Sequence, residues 1–150
     1  MCIIRPAKPY DVQKIASLIN EAYVGYIDRM GKPPAPMLND YAEVIAHKIV
    51  WVLEGSGLEL KGVLILACFP DYLLVENIAV HPKHQGMGLG KRLMEFSEAE
   101  ASRMGYSRMR LYTNVKMVEN QAFYEHLGWM KKEKLSEDGY ERIYMEKQLC

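Results

Sequence analysis

Between residues 78 and 91 the chain reads Ile78-Ala79-Val80-His81-Pro82-Lys83-His84-Gln85-Gly86-Met87-Gly88-Leu89-Gly90-Lys91. A stretch of strand character runs into a turn with glycines at alternate positions, and the turn opens a helical pattern. Glycines at this spacing let backbone N–H groups converge with no side chain in the way. A helix N-terminus behind them adds about half a positive charge. Turn and helix end together form a cradle for a phosphate or pyrophosphate. Lys83, Lys91 and Arg92 are near enough in sequence to meet further phosphates. Two common phosphate motifs do not fit. The dinucleotide fingerprint is Gly-x-Gly-x-x-Gly, whereas Gly86, Gly88 and Gly90 follow Gly-x-Gly-x-Gly. The P-loop needs four residues before its Gly-Lys and then Ser or Thr; here three separate Gly86 from Gly90-Lys91, and Arg92 follows.

Other residues could carry proton chemistry. Glu76 is the single carboxylate in Tyr72-Leu73-Leu74-Val75-Glu76-Asn77-Ile78. Strand alternation puts Leu74, Glu76 and Ile78 on one face. Such a carboxylate either faces a solvated cleft, where it can take a proton from an ammonium through water, or is a structural residue held by a neighbouring donor. Asn120, Phe123, Tyr124 and Leu127 share a face at helical spacing. Spacing alone leaves Tyr124 either a packed aromatic or a hydrogen-bond donor to a ligand. His81 and His84 sit across Pro82 with no Cys or carboxylate beside them in sequence, so no metal is expected. Tyr23, Tyr26, Asp28, Arg29 and Met30 precede a Pro-rich loop, residues 31–36, and read as either a site wall or a surface loop.

The elements that must position these residues follow from periodicity. Cys2 to Arg5 reads as a strand stopped by Pro6. Asp11 is a candidate N-cap for a helix carrying Val12, Ile15, Leu18, Ile19 and Ala22. A second helix ends near His47. Ile49–Leu53, Leu60–Cys68 and Tyr72–Val80 read as three strands of an antiparallel meander, the first two joined by a turn at Gly55-Ser56-Gly57. Leu89, Leu93 and Phe96 mark a helix that Gly105 ends. Strand Arg108–Thr113, a helix from Met117 to Leu127 and a hairpin turning at Glu137-Asp138-Gly139 complete the chain. The order is β-α-α-β-β-β-α-β-α-β-β, a mixed α+β sheet with one strand–helix–strand crossover.

With these segments in this order, the sequence resembles the GCN5-related N-acetyltransferase (GNAT) family over nearly its whole length. The resemblance rests on the opening Ile-Arg-Pro-Ala, on Glu76-Asn77-Ile78-Ala79-Val80-His81-Pro82 and on Gln85-Gly86-Met87-Gly88-Leu89-Gly90. It extends through Asn120-Gln121-Ala122-Phe123-Tyr124-Glu125-His126-Leu127-Gly128-Trp129 and a closing Met145-Glu146-Lys147. It implies the acyl-CoA N-acyltransferase fold, with a mostly antiparallel central sheet flanked by helices, and acetyl-coenzyme A as donor. It puts the pyrophosphate on Gln85, Gly86, Met87, Gly88, Leu89, Gly90 and Lys91. The pantetheine arm would run along Ile78, Ala79 and Val80, where a bulge splays the strands, with N–H groups near Ala79 and Val80 polarising the thioester carbonyl. Asn120 would bond the arm, Phe123 would line the groove, and the Tyr124 hydroxyl would reach the coenzyme sulfur. Tyr26, Asp28, Arg29 and Met30 would form one wall of the acceptor site. Glu76 is the candidate base.

The chain has 150 residues, 49% hydrophobic and 25% charged, which fits one globular domain over residues 1–150. With 19 basic and 19 acidic residues the net charge is zero, which argues against a nucleic-acid binder. The longest apolar run, Val63 to Phe69, falls far short of the about 20 residues of a membrane span. Three widely spaced cysteines, Cys2, Cys68 and Cys150, and no apolar leader fit a cytoplasmic protein. Cys68 lies in an apolar run and reads as a core residue. No cysteine falls in the catalytic segments, which disfavours an acetyl-cysteine intermediate. The expectation is therefore an N-acetyltransferase in which a small-molecule or protein amine attacks the thioester directly. The family resemblance allows a homodimer. The alternatives are an acetyl-coenzyme A sensor of the same fold and a nucleotide-binding domain.

Overall fold

A computed structural model describes residues 2–149; Cys150 lies outside them. The strands are β1 (Ile3–Pro6), β2 (Ile49–Glu54), β3 (Leu60–Cys68), β4 (Leu73–Val80), β5 (Arg108–Asn114), β6 (Met130–Glu137) and β7 (Tyr140–Gln148). The helices are α1 (Val12–Tyr23), α2 (Ile27–Met30), α3 (Tyr41–His47), α4 (Leu89–Arg103) and α5 (Val118–His126). Only the four-residue α2 departs from the expected order. All seven strands join one sheet in the order β1-β2-β3-β4-β5-β7-β6. Neighbours are antiparallel except β4 and β5, which are parallel because the chain crosses over through α4 between them.

Strand alternation sorts the core into two layers. Val50, Val52, Val63, Ile65 and Ala79 point to one face and meet Ile15, Leu18 and Ile19 of α1 and Val44 of α3. Leu64, Leu66, Val75, Met109, Leu111 and Met145 point to the other and meet Leu93, Met94 and Ala101 of α4, Tyr124 of α5 and Trp129. Among the described residues no helix is long and apolar enough to cross a membrane.

Three local expectations are corrected. Pro6 does not stop β1 but pairs with Trp51 as its last residue, which an edge strand permits because no ladder N–H is needed there. The Asp11 carboxylate does not cap α1. It takes the two Arg5 Nη atoms at 2.9 and 3.0 Å and the Lys8 amide at 2.7 Å, fastening the chain before α1 to the sheet. Cys68 is exposed rather than in the core, because β3 runs out at that residue into the turn toward β4.

Two irregularities shape the middle of the sheet. Opposite β3, Ile65 pairs with Asn77 and Leu66 with Val75, so Glu76 has no partner and forms a bulge. The bulge shifts the alternation by one residue. Leu73 and Val75 face the α4 layer, but so do Ile78 and Val80, while Asn77 pairs with Ile65 of the α1 layer. Glu76 and Ile78 therefore do not share a face as simple alternation requires. Beyond the bulge β4 also leaves β5: their pairing ends at Val75↔Leu111, while β5 stays with β7 as far as Asn114. The strands part like a V, and β4 keeps an open edge from Glu76 to Val80.

Candidate active site

His81 N–H donates to Lys61 O at 2.8 Å. In a strand, successive residues turn their N–H and C=O groups to opposite sides. Ala79 therefore faces β3, while Ile78 and Val80 turn both backbone groups to the open edge. Two side chains mark that edge: the Tyr23 hydroxyl reaches Ile78 O at 3.3 Å, and Gln85 Nε2 donates to Val80 O at 3.1 Å. The N–H groups of Ile78 and Val80, rather than that of Ala79, are the ones free to meet a ligand.

The glycine turn follows directly. Gly86 and Gly88 both have φ of +80°, and a Cβ on either would meet nothing within 4 Å, so open space lies over this backbone. Arg92 N–H donates to Gly88 O at 3.1 Å, the first bond of α4. The amides before it belong to the unpaired first turn that any helix leaves. Together with the dipole of a fifteen-residue helix they suit an anion. Gly90 packs against Phe123: a Cβ there would stand 3.3 Å from its ring.

These groups line one cleft of about 390 Å³. Ile78, Ala79, Val80, Gln85, Gly86, Gly88, Leu89, Gly90 and Lys91 form one side, and Asn120, Phe123 and Tyr124 of α5 the other. Met87 is absent from this lining and is 62% exposed, at the outer tip of the turn. Tyr26 also lines this cleft, not the opposite cavity.

On the far side of the wall lies a second cavity with an inner part of about 50 Å³ and an outer part of about 260 Å³. Glu76 lines both parts, and its carboxylate is ion-paired with the Lys48 ammonium. Met30 lines the inner part. Asp28 and Arg29 line neither cavity, because the α2 backbone turns them outward. Arg29 instead donates to Glu119 Oε1 at 2.6 Å and stacks 5.1 Å from the Tyr26 ring centroid, tying α2 to α5. Tyr23, Ile78, Asn120 and Tyr124 line both cavities and so form the partition between them.

Electrostatics at the partition are set by burial. Tyr124 is 7% exposed, and among the described residues its hydroxyl has no hydrogen-bond partner. Burial, with a smaller push from Tyr26, raises its phenol well above the ordinary tyrosine value. Tyr23 is raised likewise, chiefly by burial, while its hydroxyl donates to Asn77 Oδ1 at 2.8 Å. Both phenols stay protonated at neutral pH.

Several lining residues escaped the sequence reading. Asn77, Tyr112, Tyr140 and Arg142 line the second cavity. Tyr140, Arg142 and Tyr144 alternate along β7, and that period was the available signal; nothing in sequence showed that their face borders the V. Proximity in space also corrects the histidines. His81 pairs with Glu21 of α1, and His84 lies 3.9 Å from Glu59, carboxylates remote in sequence. Among the described residues no cluster of three or more His, Cys, Asp and Glu could hold a metal ion.

Comparison with known proteins agrees with this architecture. The sequence model of the Acetyltransferase (GNAT) domain matches residues 46–131, more than half of the chain and the span from the end of α3 to the start of β6. The curated N-alpha-acetyltransferase 80 of Mus musculus is 42% identical over 60 residues, 40% of this chain but only 18% of that one. The ribosomal-protein-S18-alanine N-acetyltransferase of Escherichia coli superposes with a TM-score of 0.78 at 20% identity, over 99% of this chain and 94% of that one. The PaiA N-acetyltransferase of Thermoplasma acidophilum, solved with coenzyme A, superposes with a TM-score of 0.81 at 16% identity, over 99% of both chains. At these identities the two structures speak for the fold, and the domain match carries the assignment. From the splayed β4, the glycine turn at the start of α4 and the matched span, this chain belongs to the GNAT acetyltransferase family.

Proposed function

We propose that this chain transfers the acetyl group of acetyl-coenzyme A to a primary amine, with both substrates held at once and the amine attacking the thioester directly. The observation that carries this reading is the shared partition. Two cavities of different character meet at Tyr23, Ile78, Asn120 and Tyr124, so that a donor on one side and an acceptor on the other come together at one wall. The coenzyme A in the Thermoplasma relative and the N-acetyltransferase names of the relatives support the donor and the reaction class.

The residues fit the donor. The open cradle over Gly86 and Gly88 suits its pyrophosphate, and the free N–H groups of Ile78 and Val80 suit amide and thioester carbonyls along the arm. Acetyl-coenzyme A supplies an activated acyl group with a thiolate leaving group. A backbone N–H at the partition stabilises charge that grows on the carbonyl oxygen during attack. The amine nitrogen forms the new bond to carbon, the carbon–sulfur bond breaks, and the nitrogen gives up a proton. Glu76, on the acceptor side, is the group we assign to receive it through water.

Tyr124 faces the sulfur in this reading. A phenol pushed well above its ordinary value by burial is a weaker acid than an alkanethiol. Complete proton transfer from Tyr124 is therefore uphill. Its contribution is a hydrogen bond that strengthens as negative charge appears on sulfur.

Initial rates of thiol release with both substrates varied test the proposal. Intersecting reciprocal plots are expected; parallel lines would indicate a covalent acetyl-enzyme. Stabilisation by acetyl-coenzyme A with no thiol release from any amine would favour the sensor, and stabilisation by ATP or NAD instead would favour a nucleotide-binding domain.

A further inference from the structure

Resting on the transferase reading, we infer that the acceptor is a small amine that also carries a carboxylate, of the amino-acid class, and that Arg142 recognises that carboxylate. Arg142 lines both parts of the acceptor cavity, and its side chain is only 12% exposed. Its guanidinium is fixed by two rings, lying 4.4 Å from the Tyr112 centroid and 5.7 Å from that of Tyr140. A guanidinium offers five N–H donors. Among the described residues Arg142 makes one hydrogen bond, from Nη1 to Glu137 Oε1 at 3.4 Å, which is long for an N–H donor. That same oxygen already accepts from the Tyr144 hydroxyl at 2.6 Å.

The other charges lining the cavity do not compete. Glu76 is held by Lys48, and Asp138 stands exposed at the tip of the β6–β7 hairpin. The cavity therefore contains a mostly buried cation, ion-paired with Glu137 through one Nη and stacked between two rings, whose remaining donors are unspent. A carboxylate matches such a fork with two parallel bonds.

The roof decides between a free molecule and a chain. The Pro-rich loop closes over this cavity through Ala35 and Pro36. It is strapped down by the Tyr140 hydroxyl on Pro33 O at 2.7 Å, by Lys32 on Gly139 O, and by the Tyr41 hydroxyl on Pro36 O at 2.5 Å. A cavity of this size, roofed by a tethered loop, suits a small molecule better than a polypeptide passing through.

The test compares α-amino acids with their own carboxamides and with peptides that begin with the same residue, reading thiol release from acetyl-coenzyme A. The carboxylate form should exceed the carboxamide by roughly 10- to 100-fold in kcat/KM. Arg142→Gln should bring that ratio close to one, mainly through KM, and Arg142→Lys should leave it intermediate. Thermal melts and acetyl-coenzyme A titration of both variants exclude a folding defect as the cause. Equal or better use of carboxamides or peptides by the wild type, or a ratio kept intact in a folded Arg142→Gln, overturns the inference while leaving the transferase reading standing. Absence of thiol release with every amine, although acetyl-coenzyme A binds, overturns both.

Discussion

A Cβ placed on Gly90 would stand 3.3 Å from Cζ of Phe123, so the first turn of α4 and the ligand-facing side of α5 meet with little more than hydrogen between them. Gly90→Ala gains about 1 kcal/mol of helix propensity but pushes on the Phe123 ring. The melting temperature should therefore change little. Acetyl-coenzyme A affinity should fall severalfold as the ring shifts into the cleft, which calorimetry measures. An unchanged affinity would show that Phe123 moves the other way, into the core.

Gly88 is a different case. Its side of the turn is empty, but its φ of +80° strains any L side chain. Gly88→Val should cost about 1–2 kcal/mol in stability from the backbone alone. It should also weaken acetyl-coenzyme A binding by more than tenfold, because a branched side chain then covers the amides assigned to the pyrophosphate. Folded Gly88→Val protein with wild-type affinity would remove that assignment.

Tyr124→Phe keeps the ring and its packing, so acetyl-coenzyme A affinity should hold. Loss of a hydrogen bond to developing thiolate charge should lower kcat about 10- to 100-fold, with kcat/KM falling alongside. Because burial raises this phenol above its ordinary value of 10.0, the group stays protonated up to that pH. The ratio of wild-type to variant rate should thus be flat from pH 7 to 10. A ratio that shrinks toward one across that range would show that Tyr124 ionises there.

Glu76→Gln should lower turnover at neutral pH by up to about a hundredfold and leave acetyl-coenzyme A affinity unchanged, since the side chain lies on the acceptor side of the partition. If the rate stays at wild type, Glu76 with its Lys48 partner is a structural pair.

Asp11 governs stability rather than catalysis. Its hydrogen bonds from Arg5, and secondarily from the Lys8 amide, hold its carboxyl below the ordinary value of 3.8 despite burial. A depressed carboxyl adds stability above that value, and the gain is lost as pH falls below 3.8 through the folded-state value. Asp11→Asn should cost somewhat less than the about 3–5 kcal/mol of a fully buried pair, because Arg5 retains Glu54 at 3.0 Å. Urea denaturation at pH 6 and pH 3 should show the wild type losing more on acidification than Asp11→Asn.

Part of the site is written into short stretches of chain. The glycine turn, the helix after it and the Asn120–Tyr124 face are encoded over a few residues by φ freedom and by the 3.6-residue period, so they are legible in one dimension. The two-layer sheet follows from alternation in β2 and β3. The remaining features arise from contacts between elements distant in sequence. The bulge at Glu76 arises from a mismatch with β3, and it turned Ile78 to the opposite layer and gave the cleft the backbone of Ile78 and Val80. The parting of β4 from β5 is a relation between strands whose paired residues, such as Val75 and Leu111, lie 36 positions apart. The acceptor side depends on it most: Arg142, Tyr112 and Glu76 come from three separate strands and meet only once the sheet has opened. No sequence period records such a meeting, because it depends on through-space packing rather than on the spacing of residues along one element.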